Sequence, residues 1–367
     1  MPEMNIPFVD LARQFRSLES ELAKAFLDVG RSGVYIMGER LEQFEKNAAD
    51  YCGVKHCLGV ADGSDALFLV LKAFGIGPGD EVITAANSFI ASAWVIAAVG
   101  AKPVLVDVCE DFNIDPSLIE NAITPKTRAI IPVHLTGRPA QMKEILEIAV
   151  KNDIKVIEDA AQAIGARYFD KPVGGLGHAA GFSLHPLKNL GVYGDGGLIT
   201  TNDDTLISKL RLLRNHGLRN RDECEIWGFN SRLDSMQAAF GDIKLKRLSQ
   251  WNLRCREIAA LYSKGLSSHV QVPFDKPHEE CVYHNFVIRT DRRDDLMSHL
   301  KEHGVDTRVH YPIPIHMQDA AKDLGYKPGD MPLSEMYAKT MVSLPIYPEL
   351  TNEEVNYVIS TVSGFYN

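Results

Sequence analysis

The sequence predicts an α/β protein, with a large domain on a mostly parallel sheet and a smaller α+β domain at the C-terminal end. Three observations carry this. Short, nearly continuous apolar runs recur along the first two hundred residues, as strands buried on both faces require. Helical stretches separate most of them, the alternation that parallel sheets need for their crossovers. A long helical pattern then starts near Asp234 and runs to about Lys264, and a new mixture of strands and helices follows it. The boundary is placed inside that helix, giving domains of residues 1–245 and 246–367.

In chain order, residues 8–50 carry apolar positions at helical spacing (Leu18, Leu22, Phe26; Leu41, Phe44), and Ser32-Gly33 divides them into two helices. Residues 57–60 read as a short buried strand, and Ala61-Asp62-Gly63-Ser64-Asp65 opens a helix after it. Further strands are expected at residues 81–84, 103–106, 129–133, 155–158, 180–184 and 198–201. Helices are expected at 88–99, 117–122 and 141–150, and a basic helix at 204–216. In the last third, residues 270–273 and 285–290 look like strands, and 292–302 and 353–361 like helices.

Composition narrows the function. Of 367 residues, 45% are apolar and 24% charged, as in ordinary globular proteins, and the length leaves ample material for a large core. Thirty-nine basic against 48 acidic residues give a net charge of −9, which argues against a nucleic-acid backbone as the main partner. Cys52, Cys57, Cys109, Cys224, Cys255 and Cys281 are scattered, with no C-x-x-C pair and no His cluster at zinc spacing. No metal site, signal peptide or membrane span is therefore expected, and the chain reads as reduced and cytoplasmic.

The chemistry centres on Gly181-Phe182-Ser183-Leu184-His185-Pro186-Leu187-Lys188-Asn189-Leu190-Gly191, followed by the glycine-dense Gly194-Asp195-Gly196-Gly197. A loop lysine is usually a solvated charge. Phe182, Leu184, Leu187, Leu190 and Val192 instead make this a buried connection. Burial lowers a lysine's pKa, and the neutral amine can form a Schiff base with an aldehyde. Upstream, the apolar run from Lys155 ends in Glu158-Asp159, at the strand edge where open α/β sheets bind ligands. An acid there could protonate the ring nitrogen of pyridoxal phosphate and make the ring an electron sink, or it could simply cap a helix. Gly63 and Ser64 at a helix start suit a phosphate, or again a plain cap. Phe89, after the 81–84 strand, could stack on a flat ring or be ordinary core. Tyr35 sits in the glycine-bounded loop Gly33–Gly38, by default a connector.

Together these motifs resemble the DegT/DnrJ/EryC1/StrS sugar aminotransferase family of fold-type I pyridoxal phosphate enzymes. The resemblance extends over the whole chain. It also rests on Ala160-Ala161-Gln162-Ala163 after Asp159 and on Gly228-Phe229-Asn230-Ser231-Arg232-Leu233-Asp234-Ser235-Met236-Gln237-Ala238-Ala239. It implies that Lys188 attaches the cofactor and shuttles the proton. Asp159 would pair with the pyridinium nitrogen, Gln162 would lie against the ring near O3′, and Phe89 would stack on the other face. Gly63, Ser64 and Ser183 would hold the phosphate. Asn230 would reach the phosphate in the neighbouring subunit, so the implied enzyme is a homodimer with sites at its interface.

The implied reaction is ping-pong: an amino acid, glutamate by expectation, gives its amino group, which passes to a keto group on a nucleotide-linked sugar. Relatives with histidine in place of the lysine are dehydratases; Lys188 points away from them. The Tyr311-Pro312-Ile313-Pro314-Ile315-His316-Met317-Gln318 stretch, the Asn230-Ser231-Arg232-Leu233-Asp234 motif and Gln162 are more like members acting on 3-keto sugars. A 4-keto sugar, a cyclitol ketone and a non-catalytic cofactor-binding regulator are the alternatives. A sugar nucleotide's diphosphate needs local donors despite the acidic chain. Arg219 and His316 are the candidates for it, with Tyr35 and His185 flanking the sugar; each could equally be a loop charge, a capped turn or a packed residue.

Overall fold

The computed structural model describes residues 4–367. The chain opens with α1 (Leu11–Ser32) and α2 (Glu39–Cys52), divided at Gly33, whose φ of 66° ends the first helix in the left-handed region. Then come β1 (His56–Val60), α3 (Gly63–Ala73), β2 (Glu81–Ala85), α4 (Ala91–Ala98), β3 (Lys102–Val106) and α5 (Pro116–Ala122). Next are β4 (Thr127–Ile131), α6 (Met142–Lys151), β5 (Lys155–Asp159) and the short β6 (Arg167–Tyr168) and β7 (Lys171–Pro172). After β8 (Ala179–Ser183), β9 (Gly197–Thr201) and α7 (Asp204–Arg214) comes α8 (Ser235–Leu266), unbroken through position 245. The chain closes with β10 (Glu279–Glu280), β11 (Phe286–Arg289), α9 (Arg293–Glu302), α10 (Pro332–Thr340), β12 (Met341–Leu344) and α11 (Asn352–Tyr366).

The seven apolar runs form one seven-stranded sheet in the order β1-β9-β8-β5-β4-β2-β3. β8, β5, β4, β2 and β3 pair in parallel, while β9 runs antiparallel to both its neighbours. This is the mostly parallel α/β fold predicted. Leu67, Leu69 and Val70 of α3 pack with Ile157 and Ile199 of the sheet and Leu210 of α7. Another cluster joins Phe182 and Leu198 of the sheet to Phe44 of α2 and Leu245 and Leu248 of α8. Tyr262, Phe286, Leu344 and Val358 build a separate C-terminal core, to which Ile6 is added from the other end of the chain.

Residues 270–273 do not form the expected strand. Gln271 alone makes a bridge, to Arg289, and the run stops because Pro273 has no N–H to extend it. The strand that pairs β11 along its length is β12, ending the core-packed stretch after α10. Among the described residues, no helix is long and apolar enough to cross a membrane.

Candidate active site

The candidate residues converge on the carboxyl edge of the parallel strands. Glu158 and Asp159 are the last two residues of β5, and strand alternation sends their side chains to opposite faces. Glu158 is fully buried and satisfied: it accepts from Gly174 N, Leu176 N and Gly177 N at 2.8–2.9 Å and lies 3.0 Å from His134 Nε2. His134 Nδ1 accepts from Ala140 N, so its proton sits on Nε2, facing that carboxylate. Asp159 faces the site, only 6% exposed. Its Oδ2 accepts from Ser92 Oγ at 2.6 Å and its Oδ1 from Ala161 N at 3.2 Å.

Lys188 rides on the loop leaving β8. That loop is closed at its base, where Val192 N donates to Leu184 O, and internally, where Lys188 N donates to His185 O. Burial lowers the Lys188 amine to about 8, with the charge of Asp159 pulling the other way. Burial, then the charge of Lys188, depresses His284 well below the usual imidazole range, and the same causes lower His310 to about 4. A cavity of about 80 Å³ opens here, lined by Lys188, Asn189, His284, Asn285, His310 and Glu349 among others.

The flat walls of the site come from two separate elements. Gln162 is held at both ends: its Oε1 accepts from Thr136 N at 2.7 Å and its Nε2 donates to Tyr311 OH at 3.2 Å. Phe89, half exposed ahead of α4, has its ring 5.8 Å from that of Tyr311. Burial and the charge of Asp159 push the Tyr311 hydroxyl above the usual phenol range.

At the other end, α3 begins against β8. Ser183 and Val60 both pair with Gly197 across the sheet, which brings the first turn of α3 to Ser183. The approach is so close that a Cβ on Gly63 would lie 2.7 Å from Ser183 Cβ. Asp62 is the helix cap, accepting from Ser64 N and Asp65 N, so the plain capping role belongs to it. This leaves the Gly63 amide and the hydroxyls of Ser64 and Ser183 as the donors the site offers an anion there. An amine near pH 8, a buried carboxylate and this donor set at a helix start fit a group bearing an aldehyde, a basic ring nitrogen and a phosphate.

The remaining candidates divide. Asn230 is exposed and makes a bridge to Asn215. Tyr35 is 54% exposed, and its carbonyl accepts from Ser235 N at 2.8 Å, so its loop lies beside the segment that follows Asn230. His185 is exposed next to Lys188, its Nδ1 accepting from Leu187 N. Arg219 is on an exposed turn, where its guanidinium pairs with Glu225 at 2.8 Å. His316 is buried, 3.0 Å from Glu335 Oε1 and against the Tyr326 ring, and it does not line the Lys188 cavity.

Sequence reading missed Ser92, Tyr311, His284 and His310 as site residues. Ser92 had a usable signal, since it lies one helical turn after Phe89. The histidines had none, for they reach Lys188 from more than ninety residues away.

Comparison with known proteins identifies the family. A family model described as the DegT/DnrJ/EryC1/StrS aminotransferase family matches residues 16–363. A protein of Geobacillus stearothermophilus named as a pleiotropic regulatory protein is 46% identical over 368 residues, 99% of each chain. The dTDP-3-amino-3,4,6-trideoxy-alpha-D-glucose transaminase of Streptomyces venezuelae is 44% identical over 360 residues, 97% of this chain and 95% of the relative. The crystal structure of S. venezuelae DesV in complex with a ketimine intermediate superposes with a TM-score of 0.97, at 44% identity, covering 98% of each chain. Similarity at this level over nearly every residue, with Lys188 and Asp159 in one site, means that the chain belongs to the DegT/DnrJ/EryC1/StrS aminotransferase family and is a pyridoxal phosphate-dependent transaminase.

Proposed function

We propose that the protein moves an amino group from an amino acid, L-glutamate in the first instance, to the 3-keto group of a nucleotide-linked sugar, in the cytoplasm and as a homodimer. The observation that carries the reading is the low-pKa Lys188 beside Asp159 in a chain 44% identical to a transaminase named for a 3-amino sugar nucleotide. The relative with a regulatory name supports a non-catalytic reading less well, because a regulator has no need of Lys188, Asp159 and Ser183 together. The division into a cofactor-binding domain, residues 1–245, and a smaller domain, 246–367, belongs to the same proposal.

Each residue then has a task. Lys188, neutral, attaches the cofactor and afterwards carries the proton to and from the substrate carbon. Asp159, steadied by Ser92, keeps the ring nitrogen protonated. Phe89 and Gln162 bracket the ring, while Gly63, Ser64 and Ser183 take the phosphate. When bound, pyridoxal phosphate supplies an electron sink for the pair left on the substrate carbon.

The dimer is supported by exposed apolar side chains. Tyr35, Ile36, Phe89, Leu187 and Trp227 are all exposed apolar side chains, Trp227 by 93%. Exposed apolar groups in such number suit a protein interface. Asn230 shares a loop with Trp227 and would reach the partner's phosphate. Arg219, His185 and Tyr35 remain the proposed contacts for the sugar nucleotide, with Arg219 exchanging Glu225 for the diphosphate. His316, paired with Glu335, is left out of the proposed contacts.

The test is a visible spectrum of the holoenzyme titrated with L-glutamate, followed by 3-keto and 4-keto sugar nucleotides. Glutamate should bleach the band and only the 3-keto compound should restore it. No response to any amino acid would sink the reading, and restoration by the 4-keto compound alone would move the reaction to the other carbon.

A further inference from the structure

The helix α8 holds the Lys188 loop by one polar ridge. Gln237, Lys244 and Asn252 are spaced seven and eight residues apart, and so lie on one face of the helix. Gln237 Oε1 accepts from Tyr193 N at 2.8 Å. Asn252 Oδ1 accepts from Asn189 Nδ2 at 2.9 Å. Between them, Lys244 Nζ donates to Gly191 O at 2.6 Å and stands 4.2 Å from the centre of the Tyr193 ring. All three contacts fall within five residues after Lys188.

Lys244 is the anomaly among them, since it is 1% exposed. A buried ammonium is costly, and an apolar side chain of the same length would pack there at less cost. What the charge gains is a strong hydrogen bond and the face of an aromatic ring. Its carbonyl partner is rigidly placed. A Cβ at Gly191 would lie 2.4 Å from Pro186 O, so the loop is folded tightly on itself between Pro186 and Gly191, with Lys188 in the fold. Lys244 therefore grips a point whose position sets that of Lys188.

We propose that Lys244 is a positioning residue of the transamination: clamped between Gly191 O and the Tyr193 ring, its amino group holds the loop that aims Lys188 at the reacting carbon. The charged and titratable groups around it are Tyr193 and Glu349, whose carboxyl burial raises; Glu349 in turn lines the Lys188 cavity. Burial lowers the Lys244 amine itself to about 8, against the pull of Glu349.

The inference rests on the transaminase reading, and the experiment separates the two. Lys244→Met and Lys244→Gln holoenzymes are compared with the wild type by hydrogen exchange of the segment 184–197, by pH titration of the visible band, and by the kinetics of the glutamate half-reaction. In Lys244→Met, exchange in that segment should speed up by about tenfold, the maximal rate should fall by about tenfold at unchanged half-saturation, and the band's pH midpoint should move. Lys244→Gln, which keeps a donor without the charge, should fall between and decides the matter if the Met variant does not fold. Wild-type behaviour in loop exchange, midpoint and rate would overturn the proposal. So would a loss of protection spread over the whole chain with the rate per folded molecule unchanged, which marks a stability role only. If instead the wild type shows no glutamate-sensitive band, the transaminase reading fails, and loop exchange alone still tests the clamp.

Discussion

Ser92 donates its hydroxyl hydrogen to Asp159 across 2.6 Å, and Ser88 Oγ lies 2.8 Å from the same hydroxyl. The carboxylate proposed to face the ring nitrogen is thus oriented from the first turn of α4. Hydrogen bonds to a charged group contribute about 1.5–3 kcal/mol. Ser92→Ala should therefore lower turnover by roughly ten- to a hundredfold with the fold intact, as initial rates would show. Asp159→Asn, which removes the charge itself, should cost more turnover than Ser92→Ala while leaving cofactor binding only modestly weaker. Equal rates for Ser92→Ala and wild type would mean that Asp159 is held without it.

The lowered amine of Lys188 makes a prediction with a definite sign. Its protonated form cannot attack an aldehyde, so attachment of pyridoxal phosphate to the apoprotein should accelerate as pH rises through about 8 and level off above. An unshifted lysine would keep accelerating towards 10.5. Stopped-flow absorbance against pH distinguishes them. Lys188→Ala should lose the visible band and activity altogether; a coloured, active variant would place the attachment on another lysine.

The contact of Gly63 with Ser183 predicts an unusual sensitivity to one methyl group. In Gly63→Ala the new Cβ would meet Ser183 Cβ at 2.7 Å and its Cα at 3.0 Å, so backbone must shift. Overpacking of this kind costs about 1–3 kcal/mol. Cofactor dissociation constants, measured by fluorescence titration, should rise by about tenfold relative to wild type. Unaltered binding would show that the phosphate is held away from this helix start.

Mixing two inactive chains tests whether the site is shared. Lys188→Ala and Asn230→Ala homodimers should each be impaired, and hybrids should rebuild one intact site if Asn230 acts across the interface. Recovery of activity after co-refolding is the readout. No recovery would leave Asn230 acting within its own chain.

Much of this was legible in local sequence because it is local physics. Seven apolar runs became the seven strands of the main sheet, and the Ser32-Gly33 break and the Asp234 start of α8 appear where their glycine and cap residues lie. Lys188 and Asp159 could be singled out for the same reason: apolar neighbours mark one as lying in a packed loop and the other at the end of a buried strand. What the sequence could not decide was direction and pairing across distance. Glu158 and Asp159 are adjacent acids, and only the registered sheet shows that one is consumed by His134 and three backbone amides while the other faces the site. That the Gly63 end of α3 packs against Ser183 follows only from the sheet pairing that carries both to one edge. His316 and Arg219 were both candidates for the diphosphate, yet one is sealed against Glu335 and the other lies exposed with Glu225. Lys244 looked like any basic residue on a long helix, and became a clamp only when Gly191 was folded over it. Periodicity reports which residues are buried; a side chain's partner is set by segments that meet only when the chain has folded, because hydrogen bonds and ion pairs act over a few ångströms of space and not along the sequence.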